Sequence, residues 1–317
     1  MKKMMIYSLA LAEMLVCISR VHAAESFVYG GPVGGTDLGS AYLPEKSGFY
    51  AAFLYGAAYS NGLYGNNGSV NKSVGLGFQV QFGAVYLLYV YPFKLAGGTL
   101  ATGVEQSYTF FRRLNAGGET EYSHGANDLY ADILSWSKRI GPDSEIKSGL
   151  PYGLTVRVAY SMIFPTGQYN PNGLGSSGHN QYFLIPNASI TYLTGPNFLG
   201  DGTEFSASVF YDIATTNHAT KYYTGGVLDF DGAISERVGL WQIGVAGNYA
   251  SQLNNDTING IPVAGNGYRL RVATVGPVIE YEIPKWKAAV KLKVSLAVWG
   301  DNASRQQIGY LTFFKSF

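Results

Sequence analysis

Apolar and polar residues alternate along this chain in segments of ten or more residues, and that period most limits what it can fold into. Over 288–298, Ala288, Val290, Leu292, Val294, Leu296 and Val298 share one face, while Lys287, Lys291, Lys293 and Ser295 share the other. Phe205, Ala207, Val209, Tyr211 and Ile213 oppose Glu204, Ser206, Ser208 and Asp212. Leu154, Val156, Val158, Tyr160 and Met162 oppose Thr155, Arg157, Ala159 and Ser161. A period of two places the two sets on opposite faces of a strand. These segments exceed the roughly five to six residues usual in globular strands. Their apolar faces end in aromatics, Tyr182 and Tyr192 in one segment, Trp241 and Tyr249 in another. Interfacial girdles of membrane barrels have this form. The opposite faces mix small residues with full charges, which a dry sandwich core does not hold without pairing. After the N-terminal segment no charge-free apolar run reaches the roughly 18 residues that a membrane-spanning helix needs.

About twelve such strands fit between residues 48 and 317. The expected fold is all-β, a transmembrane antiparallel up-and-down barrel with both termini on the periplasmic side. Long connections such as 163–180 and 252–266 fall at the outer end, and short ones such as Pro284-Lys285 at the inner end. The segment near 267–283 changes phase: Arg269 and Arg271 have one parity, Glu280 and Glu282 the other. A bulge at Gly276-Pro277 would keep all four on the lumen side.

Residues 1–23 have the form of a secretory signal: Lys2 and Lys3, a largely apolar stretch from Met4 to Val16, then Val21-His22-Ala23. Cleavage is expected after Ala23. Residues 24–47 are Gly-rich and aperiodic, and are expected to be a periplasmic segment or a short plug. The lone Cys17 lies inside the signal, so thiolate chemistry and disulfides are excluded from the mature chain. A formal net charge of +1 gives no electrostatic footprint for nucleic acid. Asn254-Asn255-Asp256 lacks the spacing of a calcium loop, and no metal or cofactor is expected. His124, His179 and His218 fall in segments expected to be outer loops, which make poor catalytic platforms. The closing residues Leu311, Phe313 and Phe317 fit the C-terminal aromatic pattern read by the barrel-assembly machinery, with Lys315 departing from it.

Charge on the expected lumen face is unevenly spread. Arg269, Arg271, Lys287, Lys291 and Lys293 fall on two adjacent strands, with Glu280 and Glu282 beside them. Glu204, Asp212, Asp229 and Asp231 fall on another two, Glu105, Asp128 and Asp132 on a third pair, and Arg157 between these groups. Opposed charged walls order water and favour polar solutes. The same charges could instead pair and fill a narrow lumen, Glu282 with Lys287 across the turn among them. Pro165-Thr166-Gly167 is a turn that could also serve as part of an outer gate.

The order of several short motifs resembles an outer-membrane barrel family named for a putative meta-pathway of phenol degradation. These motifs are Asn127-Asp128-Leu129-Tyr130, Phe164-Pro165-Thr166-Gly167-Gln168-Tyr169 and Gly239-Leu240-Trp241-Gln242-Ile243-Gly244, followed by Ser251-Gln252-Leu253-Asn254-Asn255-Asp256 and Val275-Gly276-Pro277. The resemblance implies an outer-membrane barrel taking up small aromatic or apolar compounds. That implication conflicts with a charged lumen. A lateral route through the wall near Gly276-Pro277 would bypass the charge. The leading expectation is passage of small solutes. A surface-binding or structural protein and a lipid-acting barrel enzyme are the alternatives.

Overall fold

The structure is a computed structural model that describes residues 29, 33–71, 76–141, 151–263 and 269–317. The signal segment, its cleavage position and part of 24–47 lie outside the described residues.

Twelve antiparallel strands form the wall. They are β1 (Gly48–Tyr64), β2 (Gly77–Leu95), β3 (Gly98–Ala116), β4 (in two pieces, Glu119–Ala126 and Leu129–Ile140), β5 (Gly153–Phe164) and β6 (Phe183–Leu193). The remainder are β7 (Gly202–Ala214), β8 (Val227–Val238), β9 (Trp241–Gln252), β10 (Arg271–Ile283), β11 (Ala288–Asp301) and β12 (Ser304–Ser316). Each pairs with its sequence neighbours, and β12 pairs with β1 from Tyr50↔Ser316 to Leu63↔Ser304. That last ladder closes the sheet and removes its edges.

The outer surface is apolar between two aromatic levels. Trp241 packs at a tilt against Tyr281 at 4.5 Å near one end, and Tyr249 stacks on Trp299 at 6.4 Å near the other. Eight residues separate the two levels on β9, roughly 20 Å at an ordinary strand rise and barrel tilt, close to the apolar band such barrels present to lipid.

Wall height is uneven. β1, β2 and β3 run 17, 19 and 19 residues, whereas β6 to β10 run 11 to 13. The excess on β3 continues into a hairpin with β4, closed at Gly117-Gly118 with φ of 59° and 86°. A two-residue turn with positive φ at both positions matches the twist of the flanking strands, and glycine adopts it without steric cost. His124 therefore sits on a strand, its ring nitrogen 3.2 Å from the Tyr108 hydroxyl, and not in a loop as its sequence context suggested.

The phase change on β10 has a different origin from the one expected. From Trp241↔Tyr281 to Ser251↔Arg271 the ladder with β9 is unbroken, so Gly276-Pro277 is not a bulge. The irregularity lies between Ala273 and Thr274, opposite 297–299 of β11. Without a shift at 276–277, Arg271 keeps the outward parity of Tyr249 and Ser251.

Candidate functional site: a chamber inside the barrel

Alternation fixes what each strand turns inward. β2 contributes Phe78, Val80, Phe82, Ala84, Tyr86 and Leu88, and β1 contributes Ala52, Leu54 and Ala58. β12 contributes Ile308, Tyr310, Thr312 and Phe314, and β3 contributes Glu105, Ser107 and Thr109. Together they line one side of a chamber of about 710 Å³. The inward position between Leu54 and Ala58 on β1 is a glycine, Gly56, because a Cβ there would strike the ring of Phe82.

The opposite side of the lumen is built differently. Glu204, Asp212, Asp229 and Asp231 all point inward from β7 and β8 and are almost fully buried. A second layer covers them. The described part of the N-terminal segment descends inside the barrel and donates to each carboxylate in turn. Tyr29 Oη donates to Asp212 at 2.8 Å and Gly34 N to Asp229 at 3.3 Å. Thr36 donates through N and Oγ1 to Asp231 at 2.7 Å each, and Gly39 N to Glu204 at 2.7 Å. Glu204 also receives Arg237 at 2.9 Å. Apolar side chains of the segment fill the gaps between these bonds. Tyr29 packs on Ile163, Phe183 and Phe210, Leu38 on Ala233, Ala246 and Val278, and Leu43 on Leu88 and Val90.

Asp37 fastens this layer to the basic strand. It meets Lys291 Nζ at 2.5 Å and Lys293 Nζ at 3.2 Å. Lys293 additionally donates to the carbonyls of Gly34 and Thr36. Burial opposes ionisation of Asp37, but the Lys291 ammonium, then that of Lys293, outweighs it and holds the carboxyl below its ordinary value. On the other flank Asp132 accepts from Arg157 at 3.1 Å, Tyr86 at 2.8 Å, Tyr130 at 2.9 Å and Ser161 at 2.6 Å.

The outer end is roofed by the 165–180 segment. The gap between the two pieces of β4 leaves backbone groups that this segment engages. Gln168 N donates to Ala126 O at 2.9 Å, and Leu129 N to Thr166 Oγ1 at 3.0 Å. Asp128 accepts from Gly167 N at 2.9 Å and from His179 N and Nδ1 at 2.8 and 2.9 Å. Arg112 reaches the carbonyls of Ser176 and Gly175 at 2.6 and 3.1 Å. Two motifs separated in sequence, 127–130 and 164–169, are thus one structural joint. Pro165 leads into it, and Gly167 packs so closely on Gly178 and Asn127 that a Cβ would lie 2.7 Å from Gly178 Cα. Asp256 anchors the neighbouring loops, accepting from Tyr222 at 2.5 Å, Gln252 at 2.6 Å and Gly225 N at 2.8 Å.

The charged residues expected on the lumen face divide into three groups. Glu105, Asp128, Asp132, Arg157, Lys291 and Lys293 border the chamber. Glu204, Asp212, Asp229 and Asp231 face inward but lie under the N-terminal segment, and Glu280 faces inward in register between Gln242 and Lys291. The rest sit elsewhere. Arg269 precedes β10 and donates to Asn255 at 2.8 Å in an outer loop. Arg271 faces outward, 3.6 Å from Asp301. Lys287 ends the β10–β11 turn with φ of 46° and is exposed, so it does not pair with Glu282. Glu282, half exposed at the periplasmic mouth, lies 3.6 Å from Arg237 instead. Pro277 faces outward, in register with Val245.

The aromatic wall is not legible in the sequence if polarity alone marks the lumen. On β2 the polar residues Gln79 and Gln81 face outward, near the outer end of a strand taller than the apolar band. The signal available was that both parities of 83–89 are apolar. A membrane strand apolar on both faces must give an apolar face to the lumen.

A closed barrel with an apolar, girdled exterior and a solute-sized interior chamber defines a bacterial outer-membrane β-barrel. The chain belongs to the family described as "Putative MetA-pathway of phenol degradation", whose model matches residues 61–313. Among solved structures it is similar to an outer-membrane channel from Pseudomonas putida F1, with 12% identity and a TM-score of 0.74 over 89% of this chain and 100% of that one. It is also similar to the β domain of a Bordetella autotransporter, with 11% identity and a TM-score of 0.47 over 86% of this chain and 100% of that one. No curated protein sequence matches the chain significantly.

Proposed function

We propose that this protein is an outer-membrane channel for small aromatic or hydrophobic compounds. One observation carries the reading. The N-terminal segment covers the acidic strands, and the space left beside it is walled by Phe78, Phe82, Tyr86, Tyr310 and Phe314. The conflict between a charged lumen and an aromatic solute is thereby reduced: the four carboxylates of β7 and β8, with Lys291 and Lys293, hold an internal layer in place. Such a chamber has the size and apolar lining usual for small-molecule sites. The family and the Pseudomonas putida channel point the same way.

In this reading residues 1–23 are a signal removed after Ala23, 24–47 form the plug, and 48–317 the pore. Pro165-Thr166-Gly167 belong to an outer gate hinged at Asp128. Phe317, exposed at the end of the chain, is the residue offered to the assembly machinery. The wall meets outer-membrane lipid. The reading contains no catalytic step: His179 is engaged by Asp128 and His124 by Tyr108.

The test is conductance of the refolded protein in a planar bilayer, with and without small aromatic compounds. Steady conductance altered by an aromatic solute is the expected result. Folded protein without conductance or aromatic uptake into liposomes would overturn the reading in favour of a surface-binding role.

A further inference from the structure

The charged side chains bordering the chamber are unequally supplied with partners. Asp37 holds two lysines. Asp132 holds Arg157 and three hydroxyls. Asp128 holds the His179 ring and two backbone N–H groups. Arg112 is spent on Ser123 and two roof carbonyls. Glu105 differs from all of them. It lines the chamber from β3, in register between Tyr86 and Tyr130. Both of those hydroxyls turn away from it and donate to Asp132. Among the described residues none donates a hydrogen bond to Glu105 and none forms an ion pair with it.

A partly buried carboxylate left without a cation is destabilised. Glu105 borders the aromatic wall of the chamber. Tyr86 is its register neighbour, and Phe82, Tyr310 and Phe314 complete the same wall. The Phe314 and Tyr310 rings already carry Lys291 and Lys293 at 5.2 and 5.9 Å, whereas the electron-rich face of Tyr86, beside Glu105, can attract a cation, and Phe82 can stack on a ring. The basic side cannot provide the matching site for an anion. Lys293 already makes three polar contacts, and Lys291 lies between Asp37 and its register neighbour Glu280.

We propose that Glu105 is the recognition residue of a binding station in the chamber for protonated aromatic amines. The ring lies against Phe82, Tyr86 and Tyr310, and the ammonium donates to the Glu105 carboxylate. This rests on the channel reading for how the solute arrives, but binding itself does not require conduction.

The test is calorimetric titration of the refolded full chain with three single-ring probes: cationic 2-phenylethylamine, neutral anisole and anionic 3-phenylpropionate. The amine is expected to bind more tightly than either of the others. Glu105→Gln is expected to weaken the amine by on the order of ten- to a hundredfold, the worth of one charge-assisted hydrogen bond, and to leave anisole unchanged. Equal binding of the three probes, or an unchanged amine affinity in Glu105→Gln, would overturn the proposal. If that variant does not refold, the charge series on the unaltered protein decides alone. Conductance without amine preference refutes the station and leaves the channel standing. Amine binding without conductance supports the station and refutes transport.

Discussion

Two halves of the same lumen solve opposite problems. The β6–β9 half presents carboxylates and is lined a second time by the N-terminal segment. The β1–β3 half, with β12, presents mainly rings and aliphatic side chains and is left largely uncovered, Leu43 meeting it at Leu88 and Val90. A buried acid needs donors, and backbone N–H groups of an extended segment supply them wherever the segment passes: Gly34, Thr36 and Gly39 each find a carboxylate. An aromatic wall makes no such demand, and most of it has no cover. The four carboxylates of β7 and β8 therefore mark where the lumen is closed, and the apolar wall marks where it is open, with Glu105 the charge left on the open side.

Removing residues 24–43 is the most severe way to break that contrast. It strips the cover from Glu204, Asp212, Asp229 and Asp231. Single-channel conductance should rise by on the order of severalfold, with a shift to cation selectivity, because a ring of carboxylates favours cations. Unchanged conductance and selectivity would mean that the acidic strands never face the solute.

Asp37→Asn should act next. It leaves Lys291 and Lys293 without their shared anion, and breaking a buried pair costs on the order of 3–5 kcal/mol. Protease cleavage within 33–45, followed by mass spectrometry, should report release of the segment. The same contact sets a pH response. The folded Asp37 carboxyl titrates below its ordinary value. Its contribution is therefore complete above about pH 4, the unfolded value, and is lost as pH falls through the lower folded one. Protection that instead fails on raising the pH from 5 to 8 would contradict this.

On the bare side, Phe82→Ala should weaken retention of an aromatic blocker by roughly three- to tenfold, the range of a single ring contact. Blocker residence times in the bilayer measure it. An unaltered residence time would move the solute off this wall. The smallest effect is expected at Pro277, which faces lipid from an unbroken ladder. Pro277→Ala should leave aromatic uptake unchanged and stability within about 0.5 kcal/mol, as for surface positions generally. A clear loss of uptake would reinstate a route through the wall.

The strands were legible in the sequence because alternation over ten residues survives any tertiary context. The inward parity of Glu204, Asp212, Asp229 and Asp231 was legible for the same reason. Their cover was not, since 24–47 has no period from which a position inside a barrel could be read. Arg271 was misplaced because a phase change shows that an irregularity exists without showing which strand carries it: Gly276-Pro277 has the composition of a bulge, yet the shift lies opposite 297–299. Lys287 was misplaced because the alternation of β11 was carried one residue too far, into a position with φ of 46°. The joint between 127–130 and 164–169 could not be seen from either motif alone, since each consists of the polar and turn residues that any loop uses.

The tall side of the wall has a practical consequence. Gly117-Gly118 sits at the tip of a hairpin that continues about six residues past Phe110, so it stands roughly 15 Å beyond the end of that strand's lipid contact at an ordinary strand rise and tilt. A short antibody epitope spliced between these two glycines would enter a solvent-exposed tip, the kind of place where insertions are best tolerated. It would lie beyond Phe78, the outermost ring of β2, and away from Asp37, Phe82 and Tyr86. Labelling of intact cells with the matching antibody would then report which end of the barrel faces the outside world while the solute path stays untouched.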